Sequence, residues 1–176
     1  MIARNAAIYK WTLYSLAAVL FMALQGMFFH RIHLWGVIPF LYPLLAAIPA
    51  TYEQPFPATA FALALGVVCD LLLPERCPCF YTLTFPLTGL TASLVSKNLL
   101  PAGILCSYAV SAFAFALGGL FHCFLLWAGG TPSVWRAGMF LTLREFVITV
   151  PLLALPVTGL FALLAYLTRD SEIRNG

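Results

Sequence analysis

Two long stretches of this chain contain no Lys, Arg, Asp or Glu: Trp11 to Phe29, and Ala102 to Trp135. An apolar run of about 20 residues is what a helix needs to cross about 30 Å of hydrocarbon. A water-soluble domain does not tolerate several such runs in succession. The whole sequence repeats the signal: nine Lys and Arg and six Asp and Glu in 176 residues, with 62% hydrophobic residues. Globular proteins carry roughly 25% charged residues, and this chain carries 9%. Composition therefore predicts a polytopic membrane protein and leaves little chain for a soluble catalytic domain. The net charge of +3 comes from dispersed basic residues, which excludes a nucleic-acid-binding patch.

The first apolar run follows Arg4 and Lys10 and has the look of a signal peptide. Further apolar runs succeed it, so it reads as a retained first span. The expected fold is all-α, with about six transmembrane helices in one polytopic membrane domain over 1–176. The spans fall at about 11–29, 35–51, 57–73, 80–96, 102–128 and 146–167. Helices rather than barrel strands are required by the length of the runs and by the lack of hydrogen-bonding partners in lipid. The gap from Gly129 to Glu145 contains apolar pieces that suggest a short helix on the membrane surface. Six spans put both termini on one side. Placing them in the cytoplasm gives five basic residues inside (Arg4, Lys10, Lys97, Arg169, Arg174) against four outside (Arg31, Arg76, Arg136, Arg144), a weak positive-inside signal.

Polar residues inside such spans carry the functional information. In the third span Ala58, Ala62, Gly66 and Asp70 recur every four residues and share one helix face. Small side chains on such a face admit a second helix at close range. Asp70 closes the face just under one turn inside the end of its span. It is read either as a binding or switching residue, or as a packing acid that pairs with Arg76 or caps a backbone near the interface. Gln25 and His122 are the other strongly polar side chains at depth, expected as interhelical hydrogen-bonding residues rather than ligand contacts. Pro39, Pro43 and Pro49, then Pro86, then Pro151 and Pro156, predict kinked or interrupted helices. Three of the five cysteines (Cys69, Cys106 and Cys123) lie in apolar runs, where a thiol behaves as a small hydrophobe. The Cys77-Pro78-Cys79 motif lacks the further ligands of a tetrahedral metal site. No metal, cofactor or catalytic residue is expected, and no G-x-S-x-G, H-E-x-x-H or phosphate loop occurs.

The segment from Gln25 to Lys97 resembles the rod shape-determining protein MreD family. The resemblance rests on Gln25 closing the first span, on Pro39 within WGVIPFLYPLLAAIP, and on the third-span run ALALGVVCDLLLP. In that run Gly66 and Asp70 occupy the family's G-x-x-x-D-L-L pattern. A fourth span with central Gly89 follows, and the closing span with Pro151, Pro156 and a basic tail also fits. The loop after Asp70 departs from the family in reading PERCPCF, and the stretch from Pro101 to Glu145 matches only in hydropathy.

The resemblance implies a non-enzymatic multi-pass subunit of the bacterial cytoplasmic membrane, acting in cell elongation. Its partners would be an MreC-like scaffold and, through it, MreB filaments, a RodA-like polymerase and a penicillin-binding transpeptidase. Membrane lipid surrounds it, and no nucleic acid is involved. The Ala58–Ala62–Gly66 face and Asp70 are the expected packing and partner-binding determinants. The resemblance also implies a kinked bundle like the substrate-binding membrane subunits of energy-coupling-factor importers. That supplies the alternative function, capture of a vitamin or metal in a polar pocket. Two features weigh against it: SLAAVLFMALQG lacks an A-x-x-x-A docking pattern, and polar side chains are sparse.

Overall fold

The long apolar runs become helices, as a backbone without water partners requires. A computed structural model of the chain describes residues 2–31, 36–73, 79–130 and 134–174. Its helices are α1 (Ile2–Met27), α2 (Tyr42–Ala47), α3 (Pro55–Leu72), α4 (Phe80–Asn98), α5 (Ile104–Ala128) and α6 (Val134–Arg174). Among the described residues four stretches are long and apolar enough to cross a membrane: Ala7–Met27, Pro55–Leu72, Ile104–Ala128 and Gly138–Thr168. Helix α4 has 19 residues, but its four threonines, two serines and Lys97 keep it out of that set.

The second apolar run departs from the expected continuous span over 35–51. Residues 37–41 are not helical, α2 is only six residues long, and a 3-10 turn covers Pro49–Tyr52. Pro39, Pro43 and Pro49 account for this. Each lacks a backbone donor and restricts the residue before it, so no α-helix propagates through all three. Leu41 through Thr51 are buried without exception. The broken segment packs on α3, α4, α5 and α6, while the neighbouring helix pairs around it are α3 with α4, α4 with α5, α5 with α6, and α6 with α1. Irregular backbone at membrane depth is tolerated where protein surrounds it in this way.

The surface helix expected between Gly129 and Glu145 is also corrected. Helix α6 runs for 41 residues from Val134, about 60 Å at the α-helical rise. No proline interrupts it before Pro151, and the Leu, Met, Arg and Glu of its first turns favour helix. It continues through Pro151 and Pro156, as α4 does through Pro86, without the interruption expected there. Proline is tolerated inside such apolar helices where neighbouring helices and local adjustments re-satisfy the freed backbone groups.

The core joins Tyr14 of α1, Leu41, Leu44, Leu45 and Ile48 of the central segment, Phe85, Phe115, and Val157 and Phe161 of α6. Tyr14 meets Phe161 edge-on at 5.4 Å between ring centroids. The outer faces are apolar as well: Leu16, Leu71, Leu105 and Leu163 are exposed. A bundle apolar inside and outside is suited to lipid as its solvent.

Candidate functional site

The face predicted on α3 forms a close seam with α4. Ala58, Ala62 and Gly66 are buried against α4. A Cβ placed on Gly66 would lie 2.5 Å from the carbonyl oxygen of Tyr81 and 2.8 Å from its carbonyl carbon. From the other side, a Cβ on Gly89 would lie 2.7 Å from the Ala62 Cβ and 3.0 Å from the Ala58 oxygen. The two backbones are as near as hydrogen in place of a methyl allows. The small-residue face of Ala58, Ala62 and Gly66 packs within the chain and is covered by α4.

Asp70 completes the seam electrostatically. Cys79, at the N-cap of α4, sits at φ 63° with no side-chain cap. The first-turn amides of α4 would then be unsatisfied. The Asp70 carboxylate takes that role from the neighbouring helix. Its Oδ1 accepts the Tyr81 N–H at 3.0 Å, and its Oδ2 accepts the Thr82 N–H at 2.8 Å and the Thr82 hydroxyl at 2.6 Å. A negative charge at a helix N-terminus is also favoured by the helix dipole. Of the two readings of Asp70, the geometry is that of a cap. Arg76, the other proposed partner, lies outside the described residues, as do Cys77 and Pro78.

Gln25 forms a second joint. Its side chain is buried at the end of α1. Its Nε2 donates to the Pro39 oxygen at 2.7 Å, and its Oε1 accepts the Leu41 N–H at 3.1 Å. The amide thus pairs with extended backbone much as a neighbouring strand would. Between those contacts the Phe40 N–H donates to the Thr149 hydroxyl of α6 at 3.0 Å. Gln25 and Thr149 together satisfy backbone that the prolines keep out of a helix.

At the opposite end of the bundle lies a cluster that sequence reasoning missed. Lys10 of α1 pairs with Glu53 at 2.8 Å, with the Glu53 side chain 7% exposed. The Ser93 hydroxyl donates to the Glu53 backbone oxygen at 2.7 Å, the Ser96 hydroxyl to the Thr51 backbone oxygen at 2.6 Å, and Lys97 to the Gln54 side chain. The signal was present in the order of the spans. Helix α1 and the central segment return the chain to the end of the bundle at which Lys10 begins, and α3 and α4 bring Lys97 there.

His122 stands apart from these joints. Its ring is edge-on to Phe80 at 6.2 Å, and it borders a cavity of about 380 Å³ bounded by α4, α5, α6 and the central segment. Tyr81, Thr84, Phe115, Gly118 and Glu145 also line this space. Glu145 and Phe40 border a second, more open depression beside Gln25 as well. Among the described residues no three His, Cys, Asp or Glu side chains are grouped to hold a metal. Comparison with protein-family models, curated proteins and solved structures gives no match to this chain.

Proposed function

We propose that the chain is a non-enzymatic membrane subunit of the bacterial cell-elongation machinery, of the MreD type. In this reading it assembles with an MreC-like scaffold to support lateral peptidoglycan synthesis. The observation that carries it is a coincidence of position. Gln25, Pro39, Gly66, Asp70 and Gly89, which carry the family resemblance, are the residues at which the helices are joined. A motif that fixes architecture suits a scaffold subunit.

The reading includes six crossings of the cytoplasmic membrane with both termini inside. The Lys10–Glu53 and Lys97–Gln54 pairs support it, because they bring the start of α1, the end of the central segment and the end of α4 to one end of the bundle. Helix α4 is about 28 Å long, and neighbours cover its hydroxyl-bearing face. Partners would then dock on outward faces, since the α3 stripe is covered.

The alternative, a substrate-capture subunit of an energy-coupling-factor importer, draws on the cavity between α4, α5 and α6. Mild-detergent affinity purification of the tagged protein from its own host, with mass spectrometry of bound proteins, separates the two. An MreC-like scaffold with wall synthases is the expected result. Recovery of a coupling subunit with paired ATPases overturns the elongation reading in favour of the importer.

A further inference from the structure

Helix α6 carries Pro151 and Pro156 in its interior. Neither ring nitrogen bears a hydrogen, so the carbonyls four residues earlier, those of Val147 and Leu152, lose their helical donor. Inside a membrane bundle such carbonyls are re-satisfied by a neighbouring helix or a hydroxyl side chain. The face of α6 that packs on this chain is Thr149, Val150, Leu153, Ala154, Val157 and Phe161, all buried. Both prolines are exposed, and Val147 and Leu152 are each 51% exposed. The freed carbonyls therefore belong to the side of α6 turned away from the other helices.

The hydroxyls of α6 are engaged elsewhere. Thr142 donates to the Gly138 oxygen, Thr168 to the Leu164 and Ala165 oxygens, and Thr149 accepts the Phe40 N–H. Thr158 is buried on the inner face. Among the described residues no side chain donates to the Val147 or Leu152 oxygen. Leu152 falls at the middle of the apolar stretch Gly138–Thr168, where neither water nor a lipid headgroup stands in as donor. A peptide oxygen left without a partner there is strongly unfavourable.

We propose that the outward face of α6, from Val147 to Leu163, docks one membrane-spanning helix of a partner protein, whose hydroxyl or carboxamide side chains donate to the Val147 and Leu152 oxygens. The two oxygens lie about 7.5 Å apart along the axis, so donors about four or five residues apart on one helix reach both. The rest of the partner helix is apolar, to match the exposed Leu155 and Leu163. Gly159 lies on the same face, and a Cβ there would meet nothing within 4 Å. The partner can approach closely at that point. A second copy of this chain, pairing α6 with α6, brings no donor, because the outward face of residues 147–163 is aliphatic side chains, proline and glycine. The inference goes beyond the elongation reading and does not depend on it.

The test places the photoreactive residue p-benzoylphenylalanine at Leu155 of the full-length chain in membranes of its own host. The exposed Leu105 of α5 is the control position. Illumination and mass spectrometry should join position 155 to a membrane-spanning peptide of another protein that carries Ser, Thr, Asn or Gln. Position 105 should not yield that peptide. Pro156→Ala returns an N–H to the Leu152 oxygen. It should lower the crosslink about three- to tenfold, the strength of one interhelical hydrogen bond in a membrane, while the melting midpoint in detergent holds or rises. Gly159→Leu should also lower the crosslink by blocking close approach, again with the midpoint kept. If the proline variant melts early, Gly159→Leu decides alone. The proposal is overturned if position 155 joins only lipid or a second copy of this chain, or if the joined helix bears no donor. It is overturned equally by a crosslink that neither variant reduces.

Discussion

The seam between α3 and α4 and the inner wall of α5 are both built from small residues, but with opposite results. At Gly66 the missing side chain is replaced by the backbone of the neighbouring helix, 2.5 Å from where a Cβ would stand. At Gly118 the missing side chain is replaced by space. The same residue type therefore closes one interface and hollows another. What differs is the partner. Helix α4 presents its own glycine, Gly89, to α3, and Asp70 fastens the start of α4 to the end of α3. Around Gly118 the cavity is lined by Phe85 of α4 and by Phe115 one turn away on α5.

Gly66→Leu is the strongest way to break this comparison. The obstructing atoms belong to the α4 backbone, which cannot move without displacing the helix. Overpacking a close seam costs about 1–3 kcal/mol, occasionally more, and the upper end is expected here. Heated size-exclusion chromatography in detergent should show the folded peak lost at temperatures that wild type survives. Any loss of partner recovery would then follow from loss of the bundle. An unchanged melting midpoint would mean that α3 and α4 do not approach as described.

Asp70→Ala acts on the same seam with a smaller effect. It removes the acceptor for two amides and one hydroxyl. A lost helix cap costs about 1 kcal/mol, with up to about 2 kcal/mol when a charge at the helix terminus is partly buried. Asp70→Asn keeps one carbonyl acceptor and should fall between Ala and wild type in the same thermal assay. Equal losses for Asn and Ala would assign the whole effect to charge. No loss for either would leave the close approaches at Gly66 and Gly89 to fasten the pair.

The seam was legible in sequence because helical periodicity puts residues four apart on one face, and Ala58, Ala62, Gly66 and Asp70 obey that spacing. The identity of the covering partner was not legible. Periodicity shows that a face is small, and not whether this chain or another fills it. The helices α1, α3, α4 and α5, and α6 from residue 146 onward, followed from hydropathy, whereas the break over 37–52 required knowing what would satisfy the freed backbone. Pro39, Pro43 and Pro49 announced that a break was possible. The compensating groups, Gln25 and Thr149, lie 14 and 109 residues away along the chain from the backbone they bind. Gln25 stood out because amides are rare in apolar spans, but Thr149 is one threonine among many. The cavity was the least legible feature, since Gly118 has the same local surroundings as a packing glycine.

Gly118→Ala is the gentlest perturbation and sharpens the comparison by its sign. Glycine inside a helix is less favourable than alanine by about 0.5–1 kcal/mol, because its unfolded backbone has more freedom to lose. Where a Cβ meets nothing within 4 Å, no steric cost offsets that gain. Gly118→Ala should therefore raise the melting temperature slightly in detergent, while Gly66→Ala in the same assay lowers it. Destabilisation by both alanine substitutions would mean that a neighbour closes on Gly118 as Thr142 closes on Gly119.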